Sequence, residues 1–253
     1  MRRRSVGMST LRRIAVPAMA VLAVAAGQLN ATGRWGQSPA EFAADSDAVL
    51  RVAGWAFAIW GPLYLGVLAF AVWQAFKRND GELTRLLGWP AALAFAGLAG
   101  WIWAAGADAE ALTVVVIVSS ALALILPLWV GADRVRAARR WARWLCVWPL
   151  AALAGWLTIA SPVNLVTVLT GNGDLPGPGL AWSLGAVAFV TAAALLVSRR
   201  IGTVLYALPI AWGLVGVAAA EWTRNPPLAW AAAAGVAVSA AGGVLLSRRR
   251  ARL

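Results

Sequence analysis

The chain is an all-α, polytopic transmembrane helix bundle of about eight spans by its sequence, and three observations say so. Of 253 residues, 61% are hydrophobic and only 13% charged, with a mean hydropathy of +0.74. A soluble domain of this size has too little polar surface to cover that much apolar side chain. Apolar runs long enough to cross a bilayer, about 20 residues each, recur eight times. Finally, 19 of the 22 basic residues fall on one side of the resulting alternation.

The runs lie at 13–30, 52–76, 86–105, 109–130, 144–168, 180–198, 201–220 and 228–247. The first follows a basic stretch (Arg2, Arg3, Arg4, Arg12, Arg13) and ends in Ala-Val-Ala-Ala-Gly, so it also has the form of a signal peptide. Its cleavage would leave seven spans with the same loop placement. Connections 77–85 and 131–143, the pair Arg199–Arg200 and the tail 248–252 hold the other clustered basic residues. The opposite side has only Arg34, Arg51 and Arg224, alongside Glu41, Asp45, Asp47, Asp108, Glu110, Asp174 and Glu221. The positive-inside rule then predicts an integral protein of a bacterial-type cytoplasmic membrane with both termini cytoplasmic. Loop 31–51, the single long connection, lies outside. It carries Trp35 and Phe42 and reads either as a solvated linker or as a lid over a site.

Several chemistries are excluded or disfavoured. The net charge of +12 is no nucleic-acid signal, because the basic residues sit in short clusters between apolar runs. The chain has no histidine and one cysteine, Cys146. That removes His-ligated haem, His-containing zinc sites, imidazole-based triads and any intrachain disulfide. All ten carboxylates fall in loops or at span ends, and the pairs Asp45/Asp47 and Asp108/Glu110 are expected to be solvated. No catalytic residue, metal site or obligatory cofactor is therefore expected. Gly173–Gly179 is read as a tight turn, not a phosphate loop.

What remains is aromatic. Trp60 and Tyr64 are four residues apart and share a face of span two; Trp156, Ala160 and Asn164 share a face of span five. Indole, phenol and amide groups inside a span need polar partners, so these residues are expected to face inward. By span direction Trp55, Trp60, Tyr64, Trp101 and Trp103 all lie in the outer half, with Trp156 near mid-membrane and Asn164 above it. Trp55, Trp60, Tyr64, Trp101, Trp103, Trp156 and Asn164 are thus the candidate lining of one outward-opening ligand pocket. Trp89, Trp129, Trp141, Trp144, Trp222 and Trp230 read as belt residues.

The run Trp60-Gly61-Pro62-Leu63-Tyr64 resembles the W-G/T-x-L-Y element of the TspO/MBR family, the tryptophan-rich sensory proteins related to the peripheral benzodiazepine receptor. Pro149 followed by Trp156, Ala160 and Asn164 is similar to that family's P…W-x3-A-x3-N helix. Asn30–Gly33, Ala53–Tyr64 and Trp212–Val217 resemble, in order, the elements of a longer branch of the family. Two departures stand out: the N-x-x-W element of five-span members is replaced by Gly97-Leu-Ala-Gly100-Trp101, and Pro149 precedes Trp156 by seven residues rather than four. The resemblance implies one integral domain, 1–253, with a TspO-like five-helix part at 13–170 and three added spans at 180–247. It also implies binding or sensing of a flat apolar ligand, tetrapyrrole- or sterol-like, without catalysis. The alternatives are passive facilitation of apolar metabolite transport and a porphyrin-modifying enzyme. The expected partners are membrane lipids and that small ligand, not nucleic acid; whether two copies pair as a homodimer is left open.

Overall fold

The computed structural model describes residues 2–33, 37–44, 47–175 and 179–249. Trp35, Arg34 and Asp45, and the centre of the turn expected at Gly173–Gly179, lie outside the described residues. The described residues are helical with no strand among them. The elements are α1 (Arg2–Ala31), α2 (Pro39–Ala44), a 3-10 segment Gly54–Ile59 running into α3 (Trp60–Ala75), α4 (Glu82–Gly106) and α5 (Glu110–Val130). The short α6 (Ala132–Arg136) and α7 (Arg140–Ala142) lead through a π-helical turn, Arg143–Val147, into α8 (Trp148–Gly171). Then follow α9 (Gly179–Ile201), α10 (Ala207–Glu221) and α11 (Pro226–Arg249).

Eight of these helical stretches are long and apolar enough to cross a membrane, and each overlaps one of the eight predicted runs. Helix α8 is the hub. It packs against α3, α5, α9 and α10, and it is apolar on every side, as a helix buried in a bundle should be. Leu150, Leu153, Ala154, Leu157 and Ile159 are all buried. Helices α1, α4 and α5 stack in sequence on one flank; α9, α10 and α11 form the other. Helix α1 belongs to the bundle: Val16, Ala20 and Ala23 are fully buried, and Gly27 faces the Tyr64 hydroxyl so closely that a Cβ would lie 2.2 Å from it.

The connections predicted to share a side do so. Arg134 binds Glu82 at 3.0 Å, Arg136 donates to the Arg200 carbonyl at 2.5 Å, and Arg12 and Arg13 grip Asp80 at 2.9 and 2.8 Å. Arg12 is buried to 2% exposure, an uncommon place for a guanidinium, and Asp80 is the carboxylate that makes it tolerable. Burial alone would raise the Asp80 carboxyl. The Arg12 hydrogen bond and the charges of Arg12, Arg13 and Arg85 outweigh it and hold the group below its usual range. A carboxyl lowered on folding contributes stability above its unfolded value, near 3.9, and that contribution is lost as pH falls through the folded value. Unfolding of detergent-solubilised protein should therefore steepen below about pH 4, and Asp80→Asn should flatten that acid limb. An Asp80→Asn variant with the wild-type acid slope would remove this group from the account.

At the opposite end the carboxylates are not all solvated. Asp108 is exposed and Asp47 pairs with Arg51 at 2.9 Å, but Glu221, at the end of α10, is 1% exposed. Its Oε1 accepts from the Arg51 backbone N–H at 3.1 Å and from Arg224 at 3.0 Å. Two hydrogen bonds, one from a backbone amide and one from a guanidinium, offset part of the loss of water that burial imposes. Sequence position located this group at a helix end but gave no sign of the chain passing over it.

Candidate functional site

Two local devices shape the pocket. The first is the 3-10 segment Gly54–Ile59, which is docked on α10. Ala53 donates its N–H to the Gly216 carbonyl at 3.1 Å, and the Trp212 indole N–H donates to the Ala56 carbonyl at 2.8 Å. Gly216 has no side chain where one would collide: a Cβ would stand 2.8 Å from Val52 Cγ1 and 2.9 Å from Ala56 Cβ. The segment can therefore lie flat on α10 and present Phe57 and Trp60 inward. The second device is α2, within loop 31–51. Ser38 and Glu41 close its first turn reciprocally, Ser38 N–H to Glu41 Oε2 at 2.7 Å and Glu41 N–H to Ser38 Oγ at 3.2 Å, the pattern of a capping box. The Ser38 backbone bond holds the Glu41 carboxyl below its usual range. Phe42, 7% exposed, then drops onto Trp101 edge-to-face at 5.4 Å. The described part of the loop thus packs over the cavity and is not a fully solvated linker.

Between these devices lies a cavity bounded by Phe42, Phe57, Trp60, Tyr64, Trp101 and Trp156 among others, with Asn164 and Thr167 on the α8 wall and Gly213 of α10 behind. The open space between these walls is small, ≈ 70 Å³, so a ring-sized ligand enters only as the walls part. Trp60 and Tyr64 stack on one another, centroids 5.2 Å apart and planes 25° apart, as the i, i+4 spacing required. Trp156 meets Trp60 edge-on at 6.2 Å and Phe57 at 6.0 Å. Five of the seven candidate residues thus border one space.

Trp55 and Trp103 do not, and this corrects the expectation. Trp55 is 49% exposed and packs on Trp212 at 5.2 Å; Trp103 is 55% exposed. Trp103 follows Trp101 by two residues, which in an α-helix turns it to the far side. Trp55 precedes Trp60 by five residues, a rotation that carries it well off the Trp60 face in an α-helix and in a 3-10 turn alike.

Asn164 borders the cavity, but its amide is spent within the bundle. Oδ1 accepts from Trp101 Nε1 at 2.7 Å and Nδ2 donates to Thr113 Oγ1 at 2.9 Å, tying α8 to α4 and α5. The amide is a structural bridge that fixes Trp101 in the wall. Three other polar groups in the lining have no partner among the described residues: Trp60 Nε1, Trp156 Nε1 and Thr167 Oγ1. Buried donors rarely stay unpaired, so these are the groups with hydrogen bonds left to make. Phe42, Phe57 and Gly213 were missed as lining. Phe57 had a signal, three residues before Trp60 and so on the same side of a 3-10 turn; Gly213 had none in its own span.

Eight apolar helices long enough to cross a membrane, packed around an aromatic cavity, define an integral helix-bundle membrane protein. Residues 12–245 match the family described as TSPO-like protein, and the chain belongs to that family. No curated protein and no solved structure matches it. The family match spans α8 and the three helices after it without a break, in keeping with Gly213, Trp212 and Gly216 of α10 building the same pocket as Trp60 and Trp156.

Proposed function

We propose that the protein is a non-catalytic binding or sensory protein for a flat, apolar ligand of tetrapyrrole or sterol type, held between Trp60, Tyr64, Trp101 and Trp156. The observation that carries this reading is the pair of indole N–H groups, Trp60 Nε1 and Trp156 Nε1, buried with no acceptor among the described residues in a largely apolar, aromatic cavity. A planar ring system satisfies the walls, each indole contact adding about 0.5–1.5 kcal/mol beyond area burial. One carbonyl or carboxylate on its edge satisfies the donors. With the clustered arginines at one end, the positive-inside argument places that end and both termini in the cytoplasm. The lid α2 and the pocket mouth then face the other side of a bacterial-type cytoplasmic membrane.

Trp60→Phe tests this reading with little disturbance, because it keeps an aromatic ring in the wall while removing the pyrrole ring and its N–H, a donor with no partner among the described residues. Titration of tetrapyrroles and sterols by tryptophan quenching should show affinity falling about five- to tenfold, the worth of roughly one hydrogen bond. Thermal unfolding of the ligand-free variant should be unchanged. Equal affinity for every ligand that quenches the wild type would overturn the assignment of Trp60 as a donor, and no quenching by any flat apolar compound would overturn the function.

A further inference from the structure

The stretch Arg139–Trp148, far from the pocket, holds a basic and aromatic cluster that the binding function leaves unused. Arg139 and Arg140 are exposed and Arg143 half-buried, and none of the three pairs with a carboxylate among the described residues. Their neighbours differ: Arg134 is taken by Glu82 and Arg136 by Asp133. Beside the free guanidiniums stands a run of three indoles. Trp141 meets Trp144 edge-on at 5.8 Å, and Trp144 stacks on Trp148 at 5.6 Å with planes 26° apart. Arg140 lies 4.8 Å over the Trp144 ring and 6.0 Å from that of Trp141. Trp141 is 63% and Trp144 40% exposed, and the Trp148 indole N–H is buried with no partner among the described residues.

Length fixes where this cluster sits. The helical stretch Arg140–Gly171 has 32 residues, about 48 Å at 1.5 Å per residue, against a hydrocarbon core of about 30 Å. The surplus is about 18 Å, or roughly twelve residues. Residues 144–171 carry no charge and the charged residues of the stretch are Arg140 and Arg143, so the surplus falls at the Arg140 end. Trp144 and Trp148, four residues apart, stand on one side of the helix and stack across the π-helical turn Arg143–Val147. A helix end with unpaired guanidiniums and exposed indoles, at headgroup depth, matches the chemistry of a phospholipid's polar end: phosphate for the arginines, glycerol and upper acyl chain for the rings.

We propose that Arg139, Arg140 and Arg143, with Trp141 and Trp144, form a binding site for the phosphate headgroup of an anionic phospholipid in the leaflet on the arginine-rich side. The site does not involve the pocket, and its failure would leave the ligand-binding reading untouched. The full-length protein is reconstituted in mixed phosphatidylcholine–phosphatidylglycerol nanodiscs, and the lipids that stay bound are counted by native mass spectrometry. Wild type should retain phosphatidylglycerol in preference to phosphatidylcholine. Arg140→Gln with Arg143→Gln should cut that preference by roughly tenfold or more, the worth of at least one charge-assisted hydrogen bond to phosphate. The control, Lys77→Gln with Arg199→Gln, removes the same charge from exposed, unpaired positions at the same end and should retain the wild-type preference. Equal losses in both double variants would mean diffuse charge attraction and no site. An unchanged preference in Arg140→Gln/Arg143→Gln would overturn the proposal outright.

Discussion

The Trp156→Ala variant is expected to lose flat-ligand binding by more than tenfold and about 3–5 kcal/mol of stability at the same time. Trp156 is 3% exposed and holds the edges of Phe57 and Trp60. Truncation leaves a void that neighbours on a docked 3-10 segment and a central helix have little freedom to fill. It also removes one of the two unpartnered indole donors and the edge against which the Trp60–Tyr64 stack is set. Denaturant unfolding in detergent and quenching titration, the other fifteen tryptophans serving as reporters, measure the two losses separately. Normal ligand affinity in a destabilised Trp156→Ala protein would confine this residue to packing.

Its neighbour is expected to fail for the opposite reason. A Cβ on Gly155 would lie 2.1 Å from the Tyr206 carbonyl oxygen and 3.0 Å from its carbon. That obstacle is backbone, and it cannot rotate away. It is also anchored, since the Tyr206 hydroxyl and Thr158 Oγ1 share a hydrogen bond of 2.7 Å. Gly155→Ala must therefore push α10 off α8, at an overpacking cost of about 1–3 kcal/mol or more. Because α10 also carries Trp212, Gly213 and Gly216, the displacement should reach the pocket and weaken binding as well. Gly61→Ala is the control: no atom lies within 4 Å of its Cβ position, and the added methyl in a helix should be neutral or stabilising by about 0.5–1 kcal/mol. If both alanine variants unfold alike, close approach at Gly155 is not what holds α8 and α10 together.

The eight spans were legible because length and hydropathy alone decide them, and they hold whatever the helices touch. Trp60, Tyr64 and Trp156 were legible because helical period puts them on definite faces and their polar atoms disfavour lipid. Asn164 was placed correctly on the inner wall, but its role was not readable. Only the fold brings Trp101 and Thr113, each more than fifty residues away, to the two ends of one amide. Trp55 and Trp103 were misplaced because depth in the span alone put them in the lining: five residues from Trp60 and two from Trp101, each turns away from the lining face. Gly213 and Gly216 were invisible as pocket residues because a glycine reports only that something comes close, never what.

The tie between Arg51 and Glu221 bears on how the protein is made. The two residues are 170 apart in sequence, and synthesis at about 5–20 residues per second separates their emergence by roughly 10–30 s. Throughout that interval Phe57 and Trp60 are already in the membrane, but the helix on which their segment rests has not been made. The pocket is therefore among the last parts of the molecule to close, and a chain stalled after α8 would carry its aromatic wall open to the surrounding lipid.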